Sequence, residues 1–346
     1  MDNRKWDLDM IRIIACFFVV VVHVTGYGME VMDPASANWQ IRNVVASMVR
    51  CAVPIFFMLS GIVFLGREVP IKQLYRKYIS HIAMVWIVWS SFYALIDYIA
   101  YRKAGGGASW HFFERFFLGH YHMWFLPALI LAYILYPVLY KMVSVCDEKI
   151  MRYLGIVVLL GVILKESLDP LINSDVWFEI WGDFAFFKGF VGVIYFVFGY
   201  YLYKNVRILS AKYCFLIYVC SVFLIAGGNL WYSLSHNAPS SVTYEYLSLG
   251  VMVSAVAIFW FLAQIFENIR LNSMQKKIIR EISGCTLGIY LVHTFFIEQI
   301  FRRLGLVQSD FPVAIAIVLF TGMTFLISLA VTWCIRRIPV IGKWVV

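Results

Sequence analysis

Asp9, Arg12 and His23 share one apolar run, "DMIRIIACFFVVVVHVTGYG" at residues 9–28. An arginine in hydrocarbon costs about 2.5–3.5 kcal/mol on the mildest scales, so its presence there needs a reason. Eleven residues separate Arg12 from His23. At about 100° per residue this is roughly three turns plus 20°, which sets both side chains on one lane of a helix about 16 Å apart. That lane offers a guanidinium near one surface and, near the other, an imidazole, the side chain that gains and loses a proton most readily around neutral pH. Asp9, three residues before Arg12, can pair with it and orient it. Two readings follow: a buried polar seam that holds a bundle together, or the wall of a water-accessible cavity, the default for ionisable groups in membranes. A plainer reading has Arg12 snorkelling to headgroups and His23 touching interfacial water.

Other stretches carry chemistry of the same kind. Arg50 precedes "CAVPIFFMLSG" in a second apolar run, at a depth comparable with His23, and a cation so placed calls for an anionic or carbonyl partner. Pro54 breaks the backbone ladder near it and frees a carbonyl for a cavity. The same "PIFFMLSG" also suits ordinary packing of helices through small residues. "HYHMWFLPALILAY" at 120–133 places His120, His122 and Trp124 where an interfacial aromatic belt is expected, or where rings could stack on a sugar. "SGCTLGIYLVH" at 283–293 puts Tyr290 and His293 three apart on one helix face, as core residues or as part of a site.

These residues must be positioned by helices. Of 346 residues 62% are hydrophobic and 14% charged, against about 25% charged in soluble domains. Apolar windows predict ten spans, at about 8–28, 43–65, 78–100, 122–142, 151–168, 187–203, 212–234, 247–266, 284–301 and 313–335. The expected fold is therefore an all-α polytopic membrane bundle forming a single domain over 1–346. The first run has no small-residue cleavage site after it and reads as a retained helix. With the N-terminus inside, the larger share of the 29 Lys and Arg falls on the inner side. Arg67, Arg76 and Lys77 are among these, while Arg42, Arg102 and Arg115 count to the outer side, as do the acidic residues Glu166, Asp169, Asp175, Glu179 and Asp183. Both termini are then cytoplasmic.

The net charge of +9 comes from short loops, so it implies no nucleic acid. Of the seven cysteines six lie in apolar segments and Cys146 in a loop; no disulfide framework and no metal-binding pair follows. "AGGGAS" at 104–109 lacks the Gly-Lys-Ser/Thr ending of a phosphate loop and reads as a linker.

The ordered set of Asp9-x2-Arg12-x10-His23, Arg50-x3-Pro54-x-Phe-Phe-x2-Ser-Gly, Trp-Phe-Leu at 124–126, Phe-Gly-Tyr-Tyr-Leu at 198–202 and Leu-Gly-Ile-Tyr-Leu-Val-His at 287–293 resembles the acyltransferase 3 family of integral membrane acyltransferases, over nearly the whole chain. Length and the lack of an added domain are most similar to its surface-polysaccharide O-acetyltransferases. One departure is Ile62-Val63 after Ser60-Gly61, where many members carry an aromatic residue. The resemblance implies a ten-helix core in a bacterial inner membrane, with acetyl-CoA or another acyl-CoA as cytoplasmic donor. It also implies a glycan or lipid-linked saccharide as extracytoplasmic acceptor, and Arg12, His23 and Arg50 as functional positions. On that basis Arg12, Asp9, Arg76 and Lys77 are expected to hold the donor. His23 would be the general base or a covalent acyl carrier. Arg50 would steady the thioester oxygen, and His122, Trp124, Tyr290 and His293 would meet the acceptor. Membrane lipids and a second copy of the chain are further expected partners. A transporter or flippase of a glycan or lipid-linked precursor is the rival reading, since polar residues and broken helices suit it too.

Overall fold

A computed structural model of the chain describes residues 4–106, 110–168, 172, 190–205, 209–302, 311–339 and 342–345. Every regular element among them is helical. In chain order these are α1 (Trp6–Gly26), α2 (Ala37–Val49), α3 (Ala52–Leu65), α4 (Ile71–Lys103), α5 (Trp110–Leu118), α6 (Phe125–Val145), α7 (Glu148–Val158), α8 (Val191–Asn205), α9 (Ala211–Ser235), α10 (Leu249–Glu267), α11 (Ser273–Phe295), α12 (Val313–Arg336) and α13 (Gly342–Val345). Eight of the described segments are long and apolar enough to cross a membrane, and they coincide with eight of the ten expected spans. The other two expected spans are helical where described: α7 runs on through Leu159–Ile163 to Leu168, and α8 covers 191–205. The expected acidic outer residues Asp169, Asp175, Glu179 and Asp183 lie outside the described residues, as do Gly107 to Ser109 of the linker and the side chain of Glu166.

Helix starts follow local chemistry. Ser36 accepts from the Trp39 amide at the head of α2, and Asn272 with Gln275 forms a reciprocal capping box on α11. Asp7 and Asp9 occupy the first turn of α1, where negative charge suits the helix dipole. The second expected span is two helices rather than one. α2 stops at Val49, the chain turns at Arg50 and Cys51, and α3 begins at Ala52. Pro54 lies in the first turn of α3, where its missing N–H is tolerated, and that missing donor leaves the Arg50 carbonyl without its helical partner.

α1 is the hub, packed against α2, α3, α10, α11 and α12. That position explains how a helix carrying Asp9, Arg12 and His23 can sit inside an apolar bundle. α3 and α8 approach closely: a Cβ on Gly61 would lie 1.8 Å from the Phe196 carbonyl oxygen, and one on Gly199 2.5 Å from the Met58 Cα. Small residues therefore serve backbone contact here. The "FFMLSG" and "FGYYL" motifs are the two halves of one helix–helix seam.

Arg42 departs from the outer-loop position expected of it. It lies in α2, 1% exposed, and its Nη1 donates to the carbonyls of Val24 (3.3 Å) and Thr25 (3.0 Å) at the end of α1. The orphan carbonyls of a helix C-terminus attract a cation, and this one is turned inward to meet them.

Candidate active site

The lane on α1 has two ends with different surroundings. At the basic end, the buried Asp9 carboxylate accepts from Arg12 Nη1 (3.2 Å), from Ser283 Oγ of α11 (2.7 Å) and from Arg4. Arg12 also reaches Ser283 Oγ at 3.4 Å and keeps part of its side chain exposed. Asp9 is thus the counter-ion that lets Arg12 sit in the bundle. Beside it the Trp6 indole is ringed by cations: Arg4, Lys276 and Arg280 lie 5.4, 5.8 and 5.6 Å from the ring centroid. The sequence reading passed over this cluster, which joins residues some 270 positions apart. Arg76 and Lys77 are exposed on the π-helical turn Leu74–Ile79. Tyr78 of that turn packs on Phe64, which stacks on Tyr133, so they belong to the same end.

At the opposite end is a cavity of about 590 Å³ bounded by His23, Arg50, Tyr121, His122, Trp124, Tyr244, Tyr246, Tyr290 and the carboxylates Glu30 and Glu298. On α1 its wall reaches down to Val19 and does not include Arg12. In that wall Phe125 packs 4.6 Å from Phe57 and 5.8 Å from Tyr290.

Arg50 stands at the α2–α3 break. Its Nε donates to the Tyr244 carbonyl (2.7 Å), and its guanidinium lies 5.3 and 4.8 Å from the Tyr244 and Tyr246 rings. Among the described residues no carboxylate lies within ion-pair distance of it. Its remaining N–H groups are aligned by aromatic faces beside His23, an arrangement suited to a developing oxyanion. Trp124 stacks obliquely on Tyr246 (5.3 Å, 32°), giving the cavity an aromatic wall of the kind that takes the apolar face of a sugar ring. Tyr244 and Tyr246, two apart in "VTYEYL", were not anticipated, because an aromatic pair in a connection has no periodicity to betray it.

His120 and His122 arrive by a turn. Gly119 adopts φ +68°, a left-handed conformation suited to glycine, and reverses the chain from α5 into the 3-10 turn Tyr121–Trp124. His122 is thereby buried to 2% rather than left in an interfacial belt. The Tyr290 hydroxyl donates to the His122 backbone carbonyl and ties this turn to α11. His293 is fully buried and is not in the cavity wall. It lies behind His23, with ring centroids 4.9 Å apart. So His23, Arg50, His122, Trp124 and Tyr290 share one cavity, His293 backs it, and Arg12, Asp9, Arg76 and Lys77 gather at the other end.

Comparison with known proteins places the chain in a family. The acyltransferase domain model Acyl_transf_3 matches residues 5–333. A curated relative named amino-acid racemase, from Enterococcus faecalis, is 23% identical over 321 residues, which is 86% of this chain and 42% of that protein. The chain therefore spans less than half the length of the relative to which that name was given. No solved structure matches. With an acyltransferase domain covering nearly its whole length on a helical membrane bundle, the chain belongs to the Acyl_transf_3 family of membrane acyltransferases.

Proposed function

We propose that the protein moves an acyl group, acetyl foremost, from acyl-CoA on the cytoplasmic side to a hydroxyl of a glycan or lipid-linked saccharide outside the bacterial inner membrane. The observation that carries this reading is the division of the α1 lane, with cations and Trp6 at one end and His23 with Arg50 at the other. The donor's nucleotide end is a planar ring bearing phosphates, and the residues around Trp6 fit it: an indole face for stacking, with Arg4, Lys276 and Arg280 as phosphate partners. Arg12 is partly neutralised by Asp9 and serves as the inner margin of that site. The pantetheine arm, about half a bilayer long, then runs along the lane toward His23.

The acceptor hydroxyl loses its proton to the bare nitrogen of His23 while its oxygen forms a bond to the thioester carbonyl carbon. The carbonyl oxygen gains charge beside Arg50. The C–S bond then breaks, and the thiolate takes the proton from His23, so the products are the ester and free CoA thiol. In the variant route His23 itself carries the acyl group between the two steps.

Mass spectrometry of surface glycans with and without the protein tests the reading. The expected result is loss of an acyl substituent from a glycan that is otherwise intact. Loss of the glycan itself would point to the transporter reading. His23→Gln keeps polarity and approximate size but cannot act as a base near neutral pH, so it should lower acylation about 10²–10⁴-fold.

A further inference from the structure

Asn43 lies in α2, buried to 2%, and both polar atoms of its side chain are paired with other parts of the chain. Its Nδ2 donates to the Ala226 carbonyl of α9 at 2.8 Å. A carbonyl only accepts, so that bond fixes which end of the amide is nitrogen and leaves Oδ1 as the acceptor. Oδ1 accepts from Asn229 Nδ2 of α9 at 3.1 Å and from the hydroxyl of Tyr244. Asn229 is itself fully buried, and its Nδ2 also donates to the Ser240 carbonyl at 2.9 Å.

A buried amide that only joined two helices would be explained by the bond to Ala226. The bond to Tyr244 has a different consequence, because α2 holds that tyrosine at both ends. Its hydroxyl is held by Asn43, and its backbone carbonyl accepts from Arg50 Nε at 2.7 Å. Asn43 and Arg50 are seven residues apart, two turns less about 20° and about 10 Å along the axis, so one lane of α2 carries both. Arg50 keeps helical backbone angles just past Val49, which continues that lane to the break. The start of the connection is tied to α9 by other groups: the Ser240 amide donates to Ser233 Oγ and Thr243 Oγ1 to the Ile225 carbonyl, each at 3.0 Å. Tyr244 is held through its own side chain.

We propose that Asn43 is a positioning residue for Arg50. By holding the Tyr244 hydroxyl it sets both the ring beside which the guanidinium lies, 5.3 Å away, and the carbonyl that takes the Nε–H. The remaining N–H groups of Arg50 are thereby aimed before the reaction begins, which is what an oxyanion donor requires. Asn43 is not in the cavity wall, so it acts only through Tyr244. The proposal rests on the acyl-transfer reading for its purpose, while the hydrogen bonds stand independently of it.

The experiment is a double-mutant cycle read by mass spectrometry of surface glycans, with each variant produced at equal level. Asn43→Leu and Tyr244→Phe should each lower acylation about 10-fold when Arg50 is present, a coupling typical of residues in one hydrogen-bond network. In an Arg50→Lys background, which lacks the Nε–H, each should cost less than about 2-fold. A group that merely joined α2 to α9 would cost the same in both backgrounds, and that result overturns the proposal. So does full activity of Tyr244→Phe, which removes only the hydroxyl and carries the test should Asn43→Leu fail to fold. A second readout needs no acyl transfer. In nanodiscs, the full chain labelled with 15N-arginine should show an Arg50 Nε–H, assigned by its loss in Arg50→Lys, that exchanges slowly with water. The exchange should quicken in Tyr244→Phe. Rapid exchange in the wild-type protein, or unchanged exchange in Tyr244→Phe, overturns the proposal. A protein that transfers no acyl group yet protects this N–H, and loses the protection in Tyr244→Phe, would sink the acyltransferase reading and leave the role of Asn43 standing.

Discussion

Arg50 donates its Nε to the backbone carbonyl of Tyr244 across 2.7 Å, joining the break between α2 and α3 to the connection that precedes α10. One of its hydrogen bonds is spent on holding that connection and its aromatic faces are taken by Tyr244 and Tyr246, so the guanidinium is fixed in direction as well as place.

A fixed planar fork is what distinguishes arginine from lysine here. Arg50→Lys retains charge and length but loses the bond through Nε. It should therefore acylate at least about 10-fold more slowly, because the donor to the oxyanion is misaimed. Arg50→Ala should fall by about 10²–10³-fold, the usual loss for an oxyanion donor. Glycan mass spectrometry in cells producing each variant at equal level reads both, and equal activity of the wild type and the lysine variant would remove Arg50 from the chemistry.

Arg42 tests a structural role set close to the site. Its guanidinium caps the α1 carbonyls at Val24 and Thr25, the two residues that follow His23. Arg42→Leu leaves those carbonyls buried and unpaired, at about 1–3 kcal/mol. The apparent melting temperature should fall, and hydrogen exchange should rise at the end of α1 while the basic end keeps its protection. Uniform loss of protection along α1 would argue against a local cap.

Donor binding separates the residues expected at the basic end. Acetyl-CoA should raise the melting temperature of the wild-type protein, since a ligand of the folded state stabilises it by mass action. Trp6→Ala and Arg280→Ala should each reduce that shift, and so should Arg12→Ala. Arg76→Ala and Lys77→Ala, on an exposed turn, should reduce it less. A full shift in Trp6→Ala would move the nucleotide site elsewhere.

Close approach of α3 and α8 leaves no room for side chains at Gly61 and Gly199. Gly61→Val forces the Phe196 backbone away and should cost about 1–3 kcal/mol or more as an overpacked core. The expected readout is reduced folded yield with no change in the acyl-CoA shift of the fraction that folds. A stable Gly61→Val protein would show that the seam can open.

Periodic rules made part of this protein legible without coordinates. Apolar windows depend only on local composition and bilayer thickness, and they locate the eight long helices. The lane from Arg12 to His23 follows from the 3.6-residue repeat alone, and Asp9 pairs with Arg12 as three-residue spacing requires. What depends on contact between distant segments was set by the packed bundle. The break at Arg50, the inward turn of Arg42, the burial of His122 behind the Gly119 turn, and the Tyr244–Tyr246 wall all arise where one helix meets another. So does the gathering of Arg4, Lys276 and Arg280 on Trp6. A helical repeat determines which residues share a face. Which face meets which is decided by close packing and by pairing of buried polar groups across the whole chain, and it is packing of α1 on α11 that brings the His293 ring to His23.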